Sequence, residues 1–207
     1  MKAKEAREAR QPAVADVERI LRVIDDQSVT PEEKMDWLTT SEAVPGSVQR
    51  RIACRIARWI ERRIARWTPI AVDDPLAVEA VRLAERHSLG HADDEELKEV
   101  RERTRRATWG RKHASSLRLR KRIRGMAWLA AAATADAEPE VALEKTARIA
   151  REVDRAIEII REAERIGGAA TGDEVREAYV RACVVSEAML EVQLEIARQV
   201  IQEWFEG

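Results

Sequence analysis

Apolar residues recur along this chain at intervals of three and four, the spacing that gathers side chains on one face of an α-helix. Between Pro12 and Asp25 they fall at Val14, Val17, Leu21 and Ile24. Thr30, Pro31 and Glu33 then signal a short second helix, because a threonine cap, a proline in the first turn and a glutamate three residues on make a capping box. Pro45 and Gly46 break the chain. The clearest pattern follows, from Ser47 to just before Pro69. At about 100° per residue, Ile52, Ile56, Ile60, Ile64 and Trp67 gather on one side and Arg51, Arg55, Arg58, Arg62 and Arg66 on the other.

Further along, the spacing predicts a helix from Leu76 to His87, stopped by Gly90, and a restart capped by Asp93 and Glu96. Helical sequence runs from there towards Ala135, interrupted by Gly110 and Gly125, so that this stretch counts as one element or as two or three segments. Pro139 opens a helix marked by Leu143, Ala147, Ala150, Val153, Ile157 and Ile160, which ends at Gly167 and Gly168. Thr171 and Glu174 cap a last long helix to about Phe205, apolar on most sides, as expected of a central or subunit-interface helix. Strand-type alternation and hairpin turns are absent. The expected fold is all-α, a bundle of about seven helices with long C-terminal helices. Residues 1–46 would form an N-terminal helical segment and 47–207 the main bundle, together one compact domain.

Composition supports this: 207 residues, 45% hydrophobic, suffice for a core, and the net charge of -1 argues against disorder. No apolar run reaches the roughly 18 residues of a membrane span. The charged N-terminus lacks the apolar centre of a secretion signal, and two cysteines make no disulfide framework, so a cytoplasmic setting is expected. The small net charge hides strong segregation. Residues 1–48 carry -3, 49–66 +6, 67–100 -6, 101–124 +10 and 136–207 -8. Such blocks mean either pairing of basic with acidic helices inside the fold or contact with an anionic partner.

Motifs for catalysis are missing. There is no phosphate-cradling glycine loop, no nucleophile elbow and no dinucleotide fingerprint. Cys54 and Cys183 sit among alanines and valines without a neighbouring histidine, as structural thiols do. His87 and His91, with Asp93 and Asp94, make only a thin metal set across a predicted helix stop, short of recognisable zinc-ligand spacing. Glu187, Glu191 and Glu195 stand at four-residue intervals, but a di-metal carboxylate bundle needs Glu-x-x-His pairs, and no histidine follows His113. No enzyme, metal or cofactor is expected.

The most specific chemical feature is the run from Arg101 to Arg124, eleven cations against one carboxylate. Arg105, Arg106, Arg111, Lys112, Arg118, Arg120, Lys121, Arg122 and Arg124 could grip phosphates, and Trp109 could stack on a base. Against a wholly nucleic-acid-binding domain stands the sequence pI of about 6.4. Six tryptophans against one phenylalanine and one tyrosine are expected mainly to pack in the core, with Trp59 at the edge of the arginine stripe.

Val72 to Leu97, with its Ala84-Glu85-Arg86 turn, the loop at Gly90 and the acidic restart at Asp93 to Leu97, resembles a unit of Ala- and Trp-rich helical immunity proteins of bacteria and phages. Arg51 to Trp59 upstream and Met126 to Ala133 downstream extend the likeness over about residues 30–135. The chain departs from that pattern at the basic run Arg105 to Arg124. The resemblance implies protection against a toxin by binding it, and no catalytic residues. The expected function is therefore a non-enzymatic helical protein that binds a protein partner through the Arg51–Arg66 stripe and the 101–124 run. The alternatives are a nucleic-acid-binding helical protein, or subunit of a nucleoprotein complex, using the basic run, and a structural or engineered homo-oligomer formed through the C-terminal helix.

Overall fold

The computed structural model describes residues 14–65, 75–112, 119–166 and 172–206, with backbone alone for 14–15, 108–112, 119–124 and most of 163–187. Eight helices run through the described residues: α1 (Val14–Asp25), α2 (Pro31–Thr40), α3 (Gly46–Ala65), α4 (Pro75–Ser88), α5 (Asp94–Lys112), α6 (Leu119–Ala133), α7 (Pro139–Ile166) and α8 (Gly172–Glu206). The all-α expectation holds, and no described residue is in a strand. About seven helices were expected; the eighth comes from the stretch after Asp93. Gly110 and Gly125 both lie within helices, Gly110 in α5 and Gly125 in α6, so neither glycine interrupts its helix. A single glycine inside a helix costs only about 1 kcal/mol, which neighbouring turns absorb.

The ends follow the predicted chemistry. Glu33 N–H donates to Thr30 Oγ1 (3.3 Å) and Thr30 N–H donates to Glu33 Oε2 (2.9 Å), closing the capping box of α2. Asp93 and Glu96 make the same reciprocal pair at the start of α5, at 3.1 and 2.8 Å. Gly90, at φ 73°, ends α4: its N–H donates to His87 O and that of His91 to Arg86 O, the paired bonds of a left-handed helix stop. The expected cap at Thr171 and Glu174 lies outside the described side chains.

α3 is the central element, in contact with α4, α6, α7 and α8. Ile52, Ile56, Ile60 and Ile64 are fully buried, each contributing roughly 1.5–3 kcal/mol of hydrophobic stabilisation. Ala53 and Ala57 are buried beside them and Cys54 next to these, which leaves Arg51, Arg55, Arg58 and Arg62 together on the side of α3 that faces water. α7 and α8 pair along their length, and α1 and α2 pack across them, α1 on α8 and α2 on both. One continuous core joins Ile20 and Leu38 of the N-terminal helices to Ile56, Leu143, Met189 and Ile201. Gly46 permits the start of α3 to meet the start of α7, since a Cβ there would stand 2.9 Å from Pro139 Cγ. Trp128 is buried and Trp37, Trp59 and Trp204 pack half-buried against the core, while Trp67 lies outside the described residues. No described helix is long and apolar enough to cross a membrane.

Candidate interaction surface

The arginines of α3 meet three fates, set by their angle around the helix. Arg50 points inward and is 1% exposed. Its guanidinium donates to Thr134 O (2.8 Å), Asp136 O (2.7 Å) and Ala137 O (3.0 Å), carbonyls at the end of α6 and just beyond it. Those carbonyls have no partners within the helix and lie at its negative end, so a planar five-donor cation is well matched to them. Burial pulls the Arg50 pKa down from its ordinary value, and nearby charges including Asp136 oppose that shift. Arg63 falls within the apolar face and donates to Asp154 Oδ1 of α7 at 3.0 Å, while its guanidinium carbon sits 5.8 Å from the Trp59 ring centroid. Neither Arg50 nor Arg63 was singled out from sequence. The available signal was a cation lying among the isoleucines or alanines of an otherwise apolar face.

The predicted stripe occupies the third position, on the surface. Arg55 donates to Glu203 Oε2 of α8 at 2.6 Å, and Arg51 lies 3.6 Å from the same oxygen. Arg58 pairs with Glu85 of α4. Arg62 donates to the Arg58 carbonyl at 3.3 Å and has no carboxylate partner among the described residues. Arg66 lies outside them. Acidic neighbours thus answer part of the stripe, as the segregated charge allowed.

Between α3 and α4 runs an open groove of about 810 Å³. Arg51, Arg55, Arg58 and Arg62 line one wall and Arg82 and Glu85 the other, over a floor of Ala57, Ala77, Val81, Ala127 and Ala131. Lining arginines outnumber carboxylates, here Glu61 and Glu85. Arg82 is exposed and has no ion pair among the described residues.

The 101–124 run is described only in part. Arg101 lies 3.1 Å from Asp136, Arg103 forks onto Glu79 at 2.7 and 2.9 Å, and Arg105 pairs with Glu102 one turn back at 2.9 Å. Arg106 is exposed with no ion pair among the described residues. The hydrogen bond from Arg105 holds the Glu102 carboxyl below its ordinary pKa, with Arg106 and Arg101 adding to the effect. The side chains of Trp109, Arg111, Lys112, Arg118, Arg120, Lys121, Arg122 and Arg124 lie outside the described residues.

Cys54 is fully buried and burial pushes its thiol up to about 12. His87 Nε2 meets Asp94 Oδ1 at 2.8 Å, joining the end of α4 to the start of α5, while His91 lies beyond the Gly90 turn and is exposed. The described residues hold no group of three His, Cys, Asp or Glu placed to bind a metal. Fold and surface together define an all-α bundle with a basic, apolar-floored groove. Comparison with protein-family models, curated proteins and solved structures gives no match.

Proposed function

We propose that this protein is a non-enzymatic binding protein whose α3–α4 groove takes an acidic segment of a protein partner. The observation that carries this reading is Arg62, a cation on the groove wall that no described carboxylate neutralises, flanked by Arg55 and Arg58 whose pairs are exposed. Exposed ion pairs are worth little, about 0–1 kcal/mol, so a partner's carboxylates can replace Glu203 and Glu85 at small cost. The alanine and valine floor offers apolar contact beneath the charged rim, the arrangement of protein interfaces. Complementary charge would speed association and select against basic partners. An immunity-type role, the one the sequence resemblance implies, then requires a toxin that presents carboxylates at its working surface.

The test is affinity capture from host lysate with the wild-type protein and with an Arg58→Glu/Arg62→Glu variant, followed by binding of the purified captured protein. A specific acidic protein that binds wild type, loses at least tenfold in affinity with the variant, and weakens with salt supports the groove. Arg106 favours a second reading, because the exposed start of the basic run could extend onto phosphates. Tight, steeply salt-dependent binding of short DNA or RNA, unchanged by the groove variant and lost with Arg105, Arg106, Arg111 and Lys112 replaced, would overturn the first reading for this one.

A further inference from the structure

Among the described residues, α4 has an outer face open to water. Its inner side buries Ala77, Ala80, Val81 and Ala84, its outer side exposes Val78 at 40%, and Leu89, one residue past its end with its N–H still donating to Glu85 O, is exposed at 52%. With Arg82 and Glu85 between them, these four fall at intervals of four, three and four, within about 60° of one another around the axis. They form a crest with a groove on each side: Arg58, Val78, Arg82, Glu85 and Leu89 border both the α3–α4 groove and a second one towards α5.

The crest is self-complementary. Val78 and Leu89 lie equally far from the midpoint between Leu83 and Ala84, and so do Arg82 and Glu85. A second copy of the same helix laid antiparallel about a two-fold axis through that midpoint sets Val78 against Leu89 of the second copy and Arg82 against Glu85 of the second copy, twice over. Isologous contacts need this symmetry, since each residue must suit its symmetry mate's position. Arg82 has no ion pair among the described residues. Glu85 pairs with Arg58 through one carboxylate oxygen, and a carboxylate can accept several donors. We infer that this chain forms a two-fold homodimer through the outer face of α4, with Val78 and Leu89 as its apolar contacts and Arg82 and Glu85 as its reciprocal ion pairs.

On the C-terminal helix, where sequence placed an oligomer contact, the described exposed apolar residues are Val180, Val192 and Phe205, with Val192 about a third of a turn away from the other two. The α4 crest shares Arg82 and Glu85 with one wall of the α3–α4 groove, whereas the acidic-partner reading is tested at Arg58 and Arg62 on the α3 wall. A two-fold axis crossing α4 also keeps the α3 walls of both copies on one side of the dimer.

One 14-residue helix, about 21 Å long, makes a contact below the roughly 1,200 Å² of a stable interface, so the dimer should be weak and concentration-dependent. Sedimentation equilibrium of the full chain from about 10 to 500 μM therefore tests it, with the monomer–dimer transition expected within that range. Arg82→Glu alone and Glu85→Arg alone each place like charges together and should weaken the dimer at least tenfold. An equal mixture of those two variants places opposite charges at both pairs and should restore association as a heterodimer. Val78→Asp with Leu89→Asp, both exposed positions whose folding circular dichroism can verify, should leave only monomer. A wild-type protein that stays monomeric at 500 μM, a variant mixture no stronger than its components, or a dimer that survives the Val78→Asp/Leu89→Asp change would each overturn the inference.

Discussion

Replacing Arg50 should destabilise this protein more than replacing any arginine of the surface stripe. Arg50→Met keeps most of the side-chain volume but removes all three donors to Thr134 O, Asp136 O and Ala137 O. The bond to Thr134 O is buried, and leaving that carbonyl without a partner costs about 1–3 kcal/mol. The other two acceptors are partly buried and can recruit water, so their loss is about 0.5–1.5 kcal/mol each. Loss of a cation at the negative end of α6 adds roughly 0.3–1 kcal/mol. Opposing these, the methionine no longer bears the desolvation that pulls the Arg50 pKa down. The net expectation is a loss of about 2–4 kcal/mol. Arg50→Lys should fall about midway, because a single ammonium cannot span three carbonyls as a planar fork does. Urea unfolding followed by circular dichroism measures this directly, and Tm should drop by about 2–4 °C per kcal/mol in a chain of this size. Arg62→Ala serves as the exposed control and should change stability by less than about 0.5 kcal/mol. If Arg50→Met costs less than about 1 kcal/mol, the three carbonyls are well served without the guanidinium and the reasoning fails.

Arg63 and Asp154 form an inward ion pair, so Asp154→Ala should cost about 2–4 kcal/mol, and a double-mutant cycle should show coupling above about 1 kcal/mol, beyond the range of the Arg55–Glu203 pair. The Glu33 carboxyl is held below its ordinary value of 4.5 by bonds from Thr30, so its stabilising contribution is present above pH 4.5 and disappears as pH falls through the lower folded value. Glu33→Gln, which removes the titrating carboxyl, should flatten that acid limb of the stability profile, and an unchanged limb would exclude Glu33 as its source. Cys54 ionises near 9 when unfolded but only at about 12 when folded, so it should resist a thiol reagent at pH 8 until the protein unfolds, and it should subtract stability as pH rises from 9 towards 12. Gly46→Ala should lower stability by about 1 kcal/mol, because its new methyl must push Pro139 aside where α3 meets α7; unchanged thermal unfolding would show that the two helix starts move apart freely.

Local chemistry determined much of this protein before any tertiary contact. The period of its isoleucines set α3 and the face that it buries, Thr30 with Glu33 and Asp93 with Glu96 set where α2 and α5 begin, and Gly90 set where α4 ends, because helix periodicity and capping act over four or five residues. The same periodicity put Arg51, Arg55, Arg58 and Arg62 on one strip. It could not say that Glu203, 148 residues beyond Arg55, would fold back onto that strip, or that Glu85 would reach Arg58. Only the crossing of α3 with α4, α7 and α8 decided which cations meet carboxylates, which one closes the end of α6, and which face the open groove. Gly110, inside α5, teaches the same point: a glycine permits an interruption, but the surrounding fold chooses whether one occurs. Burial is a property of neighbours, and neighbours far apart in sequence leave no trace in a local pattern.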